Sequence, residues 1–337
     1  MVSLVIGVFS KVQHRKPGST NQAAVKNLTL DVLIPSYNRS EMLVRTLDSL
    51  LAAEMPRGLD VLITVIDNNS TDATADTVRK YIRANKGQIC YVFEPNQGRS
   101  HALNAGIKMT GGDLVGMIDD DEEVDRRWFS TISAAFADPN IDFIGGPYLP
   151  NWGAEKPKWL PRNYLGVIGW VDGGNKARAF DKDYPGILMG GNAVIRRAAL
   201  NAAGPYSTLL GRNNKRLLSC EDEDMYRRLL ATGATGFYLP DLIIYHYVPS
   251  ERLTKRYFRN WCFWRGVSLG VMDRKQRPTV AYLAGVPRYL YGRAVRSAID
   301  LIRSVVRPKK DIAQSFSDEL AWWDLAGFFY GKHFYRH

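Results

Sequence analysis

Three consecutive aspartates, Asp119, Asp120 and Asp121, follow directly on an apolar run in GMIDDDEEVD. Asp favours turns and helix starts, so a solvated turn is one account of them. A site for a hard divalent cation is the other, because crowded carboxylates repel and a cation relieves that repulsion while taking their oxygens as ligands. Magnesium and manganese both suit oxygen ligands, and composition does not choose between them. At strand-like spacing alternate side chains share a side, so Asp119 and Asp121 are expected to face one crevice, with Asp120 as the spacer.

A second acidic group, Glu221 to Asp224 in SCEDEDMYRR, sits at an expected helix start, where the helix dipole stabilises carboxylates without any catalysis. At the mouth of the same crevice one of these groups could also take a proton from an acceptor hydroxyl. Arg227 and Arg228 read equally as caps, ion-pair partners or phosphate contacts. His246, in YHYVP, can ligate manganese or zinc as a neutral imidazole, although an isolated histidine is more often a core or surface residue.

These residues need a scaffold that gathers them. LTLDVLIPS, VLITVID, QICYVFE and DLVGMID read as strands, separated by helical stretches over residues 40–53, 72–84 and 99–108. Apolar strands alternating with helices predict an α/β fold, a Rossmann-like three-layer sandwich with a mostly parallel sheet. Ligands in such a sheet sit outside the carboxyl ends of the strands. There the chain places PSYNR, DNNS and the aspartate triplet, so three loops are expected to converge on one crevice. Residues 145–192 are loop-rich with interleaved aromatics, and Trp170 among them could stack on a sugar or simply pack. Further helices are expected near residues 220–233 and 251–269, with short strands around Pro240 between them.

With 337 residues and 45% hydrophobic content the chain is long enough for a large core. A formal charge of +11 favours anionic partners. Cys90, Cys220 and Cys262 are too far apart for a disulfide framework or a close-spaced zinc motif, which favours a reducing, cytoplasmic setting. The early apolar run is followed, not preceded, by basic residues, which argues against a signal peptide. No run of eighteen apolar residues predicts a spanning helix. Arg288, Arg293, Arg296, Arg303, Arg307, Lys309 and Lys310 are set among apolar residues, in a pattern that suits either packing on the domain or lying on an anionic membrane.

The chain resembles a family 2 glycosyltransferase with the nucleotide-sugar-binding A-type (GT-A) fold. The resemblance is carried in order by DVLIPSYNR, VIDNNSTDAT, EPNQGRSHALNAG, MIDDDEEVD, MGGNAVIRRAAL, CEDEDMYRRL and YHYVP. It implies a catalytic domain over residues 29–248, after a lead-in over residues 1–28 and before a helical basic region over residues 249–337. It implies that Asp31, Pro35, Tyr37 and Arg39 line the nucleotide site, with Asp67 near the base and Arg99 and Asn104 on the donor side. Asp119 would hold the ribose beside Asp120, while Asp121 and His246, with Asp119, would hold Mn2+ or Mg2+. Gly191 and Asn192, after Gly190, would lie near the donor sugar or acceptor. Asp222 would be the general base, with Glu221 its rival.

The implied reaction is a single displacement that inverts the anomeric centre of a sugar carried on a nucleotide diphosphate, UDP being favoured and thymidine or guanosine donors open. The acceptor would be a glycan, soluble, protein-bound or linked to a polyprenyl diphosphate. Attachment to the inner face of a membrane and an oligomer both stay open. A metal-dependent phosphoryl hydrolase and a basic nucleic-acid-binding protein are the competitors, but the chain has neither a P-loop nor a nucleic-acid reader motif.

Overall fold

The computed structural model describes residues 27–212, 217–275, 279–306 and 312–336. Apart from Asn27 and Leu28, the expected lead-in lies outside the described residues, as do Arg307, Lys309 and Lys310.

Strand β1 (Leu28–Ser36) is buried along nearly its whole length, which explains its unbroken apolar sequence. It pairs in parallel with β2 (Leu59–Asp67) on one side. Helices α1 (Ser40–Ala52) and α2 (Thr74–Ala84) are the connections that parallel pairing requires, α2 leading on to β3 (Ile89–Phe93) beside β2. After α3 (Arg99–Met109) the chain returns as β4 (Leu114–Met117) on the other side of β1. The carboxyl ends of β1, β2 and β4 thereby bring PSYNR, DNNS and the triplet to one edge. Successive residues of β1 serve opposite cores: Val32 and Ile34 pack with Leu43, Leu47 and Trp128, whereas Leu33 packs with Leu103 and Met225.

Beyond β4 the sheet is less parallel than expected. The eight strands run in the order β3-β2-β1-β4-β9-β6-β10-β8, where β6 is Phe143–Gly145, β8 Arg178–Ala179, β9 Ala193–Arg196 and β10 Gly236–Tyr238. Four of the seven pairings are parallel, and β9 runs against both β4 and β6. The long loop-rich segment before β9 enters the sheet without a crossover helix, so nothing imposes the parallel direction. The α/β sandwich stands, with a mixed sheet.

A second, three-stranded sheet brings His246 to the triplet. It joins β5 (Glu122–Val124), β11 (Ile244–Val248) and β7 (Tyr148–Trp152), with His246 opposite Glu122 on one side and Pro150 on the other. Helices α4 (Trp128–Phe136) and α5 (Arg197–Ala203) pack on the large sheet, and α6 (Glu221–Ala231) starts at its crevice edge.

The chain ends in α7 (Lys255–Lys275), α8 (Arg288–Val306) and α9 (Ile312–His333). Gly266 and Gly270 of α7 meet Gly327 and Gly331 of α9 so closely that a Cβ on any of them would run into the other helix's backbone. Leu160 and Tyr164, flanking the start of a 3-10 turn over Arg162–Ile168, join Phe258 and Phe316 in a further core. Among the described residues, no helix is long and apolar enough to cross a membrane.

Candidate active site

Pro35, Tyr37, Arg39, Asn68, Arg99 and all three aspartates of the triplet border a crevice of about 210 Å³ at the carboxyl ends of β1, β2 and β4. Asp120 is not a spacer: β4 ends at Met117 and the chain turns at Asp120 and Asp121, so strand alternation does not apply. Its Oδ2 accepts the Ser36 hydroxyl at 2.8 Å and its Oδ1 accepts Arg39 Nη1 at 2.9 Å.

The second acid group reaches this crevice through one guanidinium. Arg99, at the first turn of α3, donates from Nε to Asp119 Oδ1 at 2.8 Å and from Nη1 to Asp222 Oδ1 at 3.0 Å, with Glu221 Oε1 at 3.5 Å. Its Nη2 is buried and has no hydrogen-bond partner among the described residues. Burial and the neighbouring Asp222 push Glu221 up to about 7. Burial also raises Asp222, against the pull of Arg99. Asp222 keeps 21% of its side chain exposed, against 8% for Glu221, so Asp222 is the one open to a substrate.

Asp121 has a different setting. Burial opposes its ionisation, but His246, Arg252 and Arg39 outweigh that and hold it well below the usual carboxylate range. Its Oδ2 accepts Arg39 Nη1 at 2.8 Å and Arg252 Nη2 at 2.9 Å, and lies 3.7 Å from His246 Nε2. Burial lowers His246 to about 4, so the imidazole is neutral at neutral pH and the two guanidiniums carry the positive charge. Arg252 Nη1 donates to His246 Nε2 at 2.8 Å, which leaves the ring proton on Nδ1, where it is buried and unpartnered among the described residues.

The expected metal trio does not assemble, because Asp119 is turned to Arg99. Among the described residues no three His, Cys, Asp or Glu side chains group to hold a metal ion. Of the remaining pair, Asp121 Oδ2 accepts Arg39 and Arg252, and the His246 Nε2 lone pair accepts Arg252. A cation held there would displace the Arg252 guanidinium and draw its other ligands from substrate phosphates and water. Asp121 Oδ2 and the Nε2 lone pair of neutral His246 converge, and the Arg252 guanidinium bridges them.

Several expected contacts fall elsewhere. Asp31 is five residues upstream of Ser36 on β1, roughly 16 Å along the strand. It accepts Gly112 N and Arg197 Nη2, both at 2.6 Å, and so ties the far end of the sheet to α5 instead of lining the nucleotide site. Asn104 points away from the donor side, its amide pairing with the backbone N and O of Tyr206. Asn192 is fully buried and bonds Trp128, Pro147 and Leu242, which uses up its amide in joining the two sheets. A Cβ on Gly190 would fall on the Asp222 carboxylate and one on Gly191 on that of Glu122, so these glycines admit carboxylates, not a ligand. Asp67 has both oxygens engaged, by Ser70 N at 2.8 Å and the Tyr91 hydroxyl at 2.7 Å. Arg227 and Arg228 pair with Glu223 and Asp224 on α6.

Three residues were missed. Glu122 accepts the Asp119 backbone N–H at 2.8 Å, and burial with Asp119 and Asp121 nearby pushes it well above the carboxylate range. Arg252 is only 8% exposed, and Arg212 borders the crevice. Neither arginine has a local signal, since each depends on a loop folding back over the triplet.

A crevice at the carboxyl ends of parallel strands, lined by acids and arginines on an α/β sandwich, defines an enzyme of the A-type glycosyltransferase fold. The model of Glycosyl transferase family 2 matches residues 31–204, and the chain belongs to that family. It is a glycosyltransferase that moves a sugar from a nucleotide diphosphate donor to an acceptor. Among its relatives is the glucosyl-dolichyl phosphate glucuronosyltransferase of Haloferax volcanii, 25% identical over 73% of this chain and 78% of the relative. The succinoglycan biosynthesis protein ExoM of Rhizobium meliloti is 26% identical over 70% and 74% of the two chains. The fold is similar to that of the mannosyltransferase PcManGT of Pyrobaculum calidifontis, solved with GDP-Man and Mn2+, with a TM-score of 0.58 at 18% identity over 90% of this chain and 86% of that one.

Proposed function

We propose that the protein transfers a sugar, with inversion, from a uridine diphosphate sugar to a hydroxyl of a lipid-linked glycan. The observation that carries the reading is the Arg99 bridge, which joins Asp119 of the triplet to Asp222 at the start of α6 within one crevice. Asp222 is the general base: burial raises its proton affinity above the ordinary carboxylate value while part of it stays open to an acceptor. The acceptor oxygen attacks the anomeric carbon from the face opposite the nucleotide, and no covalent sugar-enzyme intermediate forms. Arg39 and Arg212 on the crevice wall meet the negative charge of the departing diphosphate. A divalent cation bound between Asp121 and His246 would supply further charge neutralisation there.

Support for uridine comes from the nucleotide usual in the resemblance and from the Tyr37 ring, 42% exposed at the crevice, which offers a base a stacking face. Support for a lipid-linked acceptor comes from the glucosyl-dolichyl phosphate named for the Haloferax relative and from the carboxyl-terminal helices. On α8, Val295, Ile299 and Ile302 are exposed on one face beside Arg296, a pattern that suits an anionic membrane surface. In this reading residues 29–248 are the catalytic unit and residues 249–337 face the inner surface of the membrane.

A panel of nucleotide sugars with lipid-linked acceptor extracts, read by mass spectrometry for both released nucleotide and glycosylated product, tests the reading. Transfer from GDP- or dTDP-sugars alone overturns the uridine donor. Nucleotide release without any glycosylated product overturns the transfer to lipid-linked acceptors.

A further inference from the structure

A second cleft, of about 900 Å³, opens along the 3-10 turn over Arg162–Ile168. Its wall carries three cations, Lys156, Lys158 and Arg162, and no acid, although the neighbouring chain is rich in charge of both signs. Among the described residues none of the three forms an ion pair. The rest of the wall is largely apolar, with Leu160, Leu165 and Trp170, and Lys156 Nζ stands 4.6 Å over the Trp170 ring. A cleft that is half apolar and three times positive matches an amphiphilic anion, not a neutral sugar chain.

Its position ties it to the reaction. Trp170 follows Gly169, whose backbone is packed so tightly against the His246 imidazole that a Cβ there would sit 2.6 Å from Nδ1. One residue therefore separates the cleft wall from the side chain beside Asp121. On the other side, Ala313 and Gln314 at the start of α9 close the cleft, and the next residue out, Ile312, is 63% exposed. The cleft thus lies between the segment that touches His246 and the exposed start of α9.

We propose that this cleft binds the phosphate or diphosphate of a lipid-linked acceptor, holding its glycan toward Asp222 and its lipid toward Ile312. The proposal rests on the reading of the acceptor given above and adds where that acceptor sits. The diphosphate pairs with Lys156, Lys158 and Arg162, and the first apolar units of the lipid lie along Leu160, Leu165 and Trp170.

The test is calorimetric titration of the full chain with geranylgeranyl diphosphate, beside inorganic pyrophosphate and geranylgeraniol. The comparison is with a variant carrying Lys156→Gln, Lys158→Gln and Arg162→Gln, three surface changes outside the donor crevice. The proposal expects the lipid diphosphate to bind more tightly than either fragment, and the variant to weaken it by at least about tenfold while nucleotide-sugar binding stays within about twofold. Equal affinity of variant and parent overturns it, as does displacement of the probe by added UDP or GDP, which would put the probe in the donor crevice. Pyrophosphate binding as tightly as the lipid diphosphate makes the cleft a plain anion site and overturns the lipid assignment. Because these are binding measurements, they stand or fall separately from the glycosyl-transfer panel.

Discussion

The two ends of the catalytic crevice are built from the same residue types and behave in opposite ways. At one end a single guanidinium, Arg99, is shared among Asp119, Glu221 and Asp222, and burial raises the proton affinity of the last two. At the other, Arg39 and Arg252 converge on Asp121 and hold it ionised, although it is just as deeply placed, while Asp120, which has only a share of Arg39, is pushed by burial up to about 6. The ratio of arginines to carboxylates, not the carboxylates themselves, assigns one end to taking a proton and the other to holding charge.

The largest way to break this contrast is Asp222→Asn, which removes the proton acceptor and leaves the shape. Transfer should fall by about 10²- to 10⁴-fold with donor affinity retained, and near-normal turnover in a product assay would remove Asp222 from the base role. Arg99→Met attacks the same end through its one cation. It strands buried Glu221 together with Asp119 and Asp222, so urea denaturation should report a loss of about 3–5 kcal/mol, and an unchanged midpoint would deny Arg99 its bridging role.

Arg252→Met tests the opposite end, where the guanidinium bridges the two groups a cation would use. Binding of Mn2+ to the donor-free protein, followed by electron paramagnetic resonance, should tighten by about tenfold. Equal or weaker binding would mean that Arg252 helps to build the cation site instead of filling it.

The smallest effect is one of pH. Glu221 titrates at about 7 in the fold against an ordinary value of 4.5, so between those values the folded chain keeps a proton that the unfolded chain has released. Stability therefore falls as pH rises through that window, and below it the two states are protonated alike. Glu221→Gln should flatten this decline by about 1 kcal/mol in melting curves recorded between about pH 5 and about pH 6, and an unaltered slope would assign the decline to another group.

Much of the parallel half of the sheet was readable in advance, because buried strands such as VLITVID announce themselves by unbroken apolar runs and end in polar loops. The convergence of those loops followed from the strand ends. Where the reading failed, it had carried a local rule past its range. Asp120 was assigned by strand alternation, but β4 stops before the triplet begins. The roles of Asp31, Asn104 and Asn192 came from their places in matching segments, while their partners Arg197, Tyr206 and Trp128 are distant in sequence. Arg252 could not be found at all by spacing: only the β11 strand and the following turn bring it back over Asp121.

The glycine contacts between α7 and α9 have a mechanical consequence. Where helices meet through side chains, rotamer changes can absorb a small slide, but here backbone lies on backbone and there is nothing soft between them. The pair is dovetailed and must move as one piece. The two helices run parallel, so the end rooted at Lys255, three residues after Arg252, lies beside the start of α9, where Ala313 and Gln314 form the lip of the basic cleft and Lys255 stands over the Phe316 ring. A displacement of Arg252 large enough to pull on the root of α7 therefore shifts the start of α9 directly beside it, and with it the lip of the cleft.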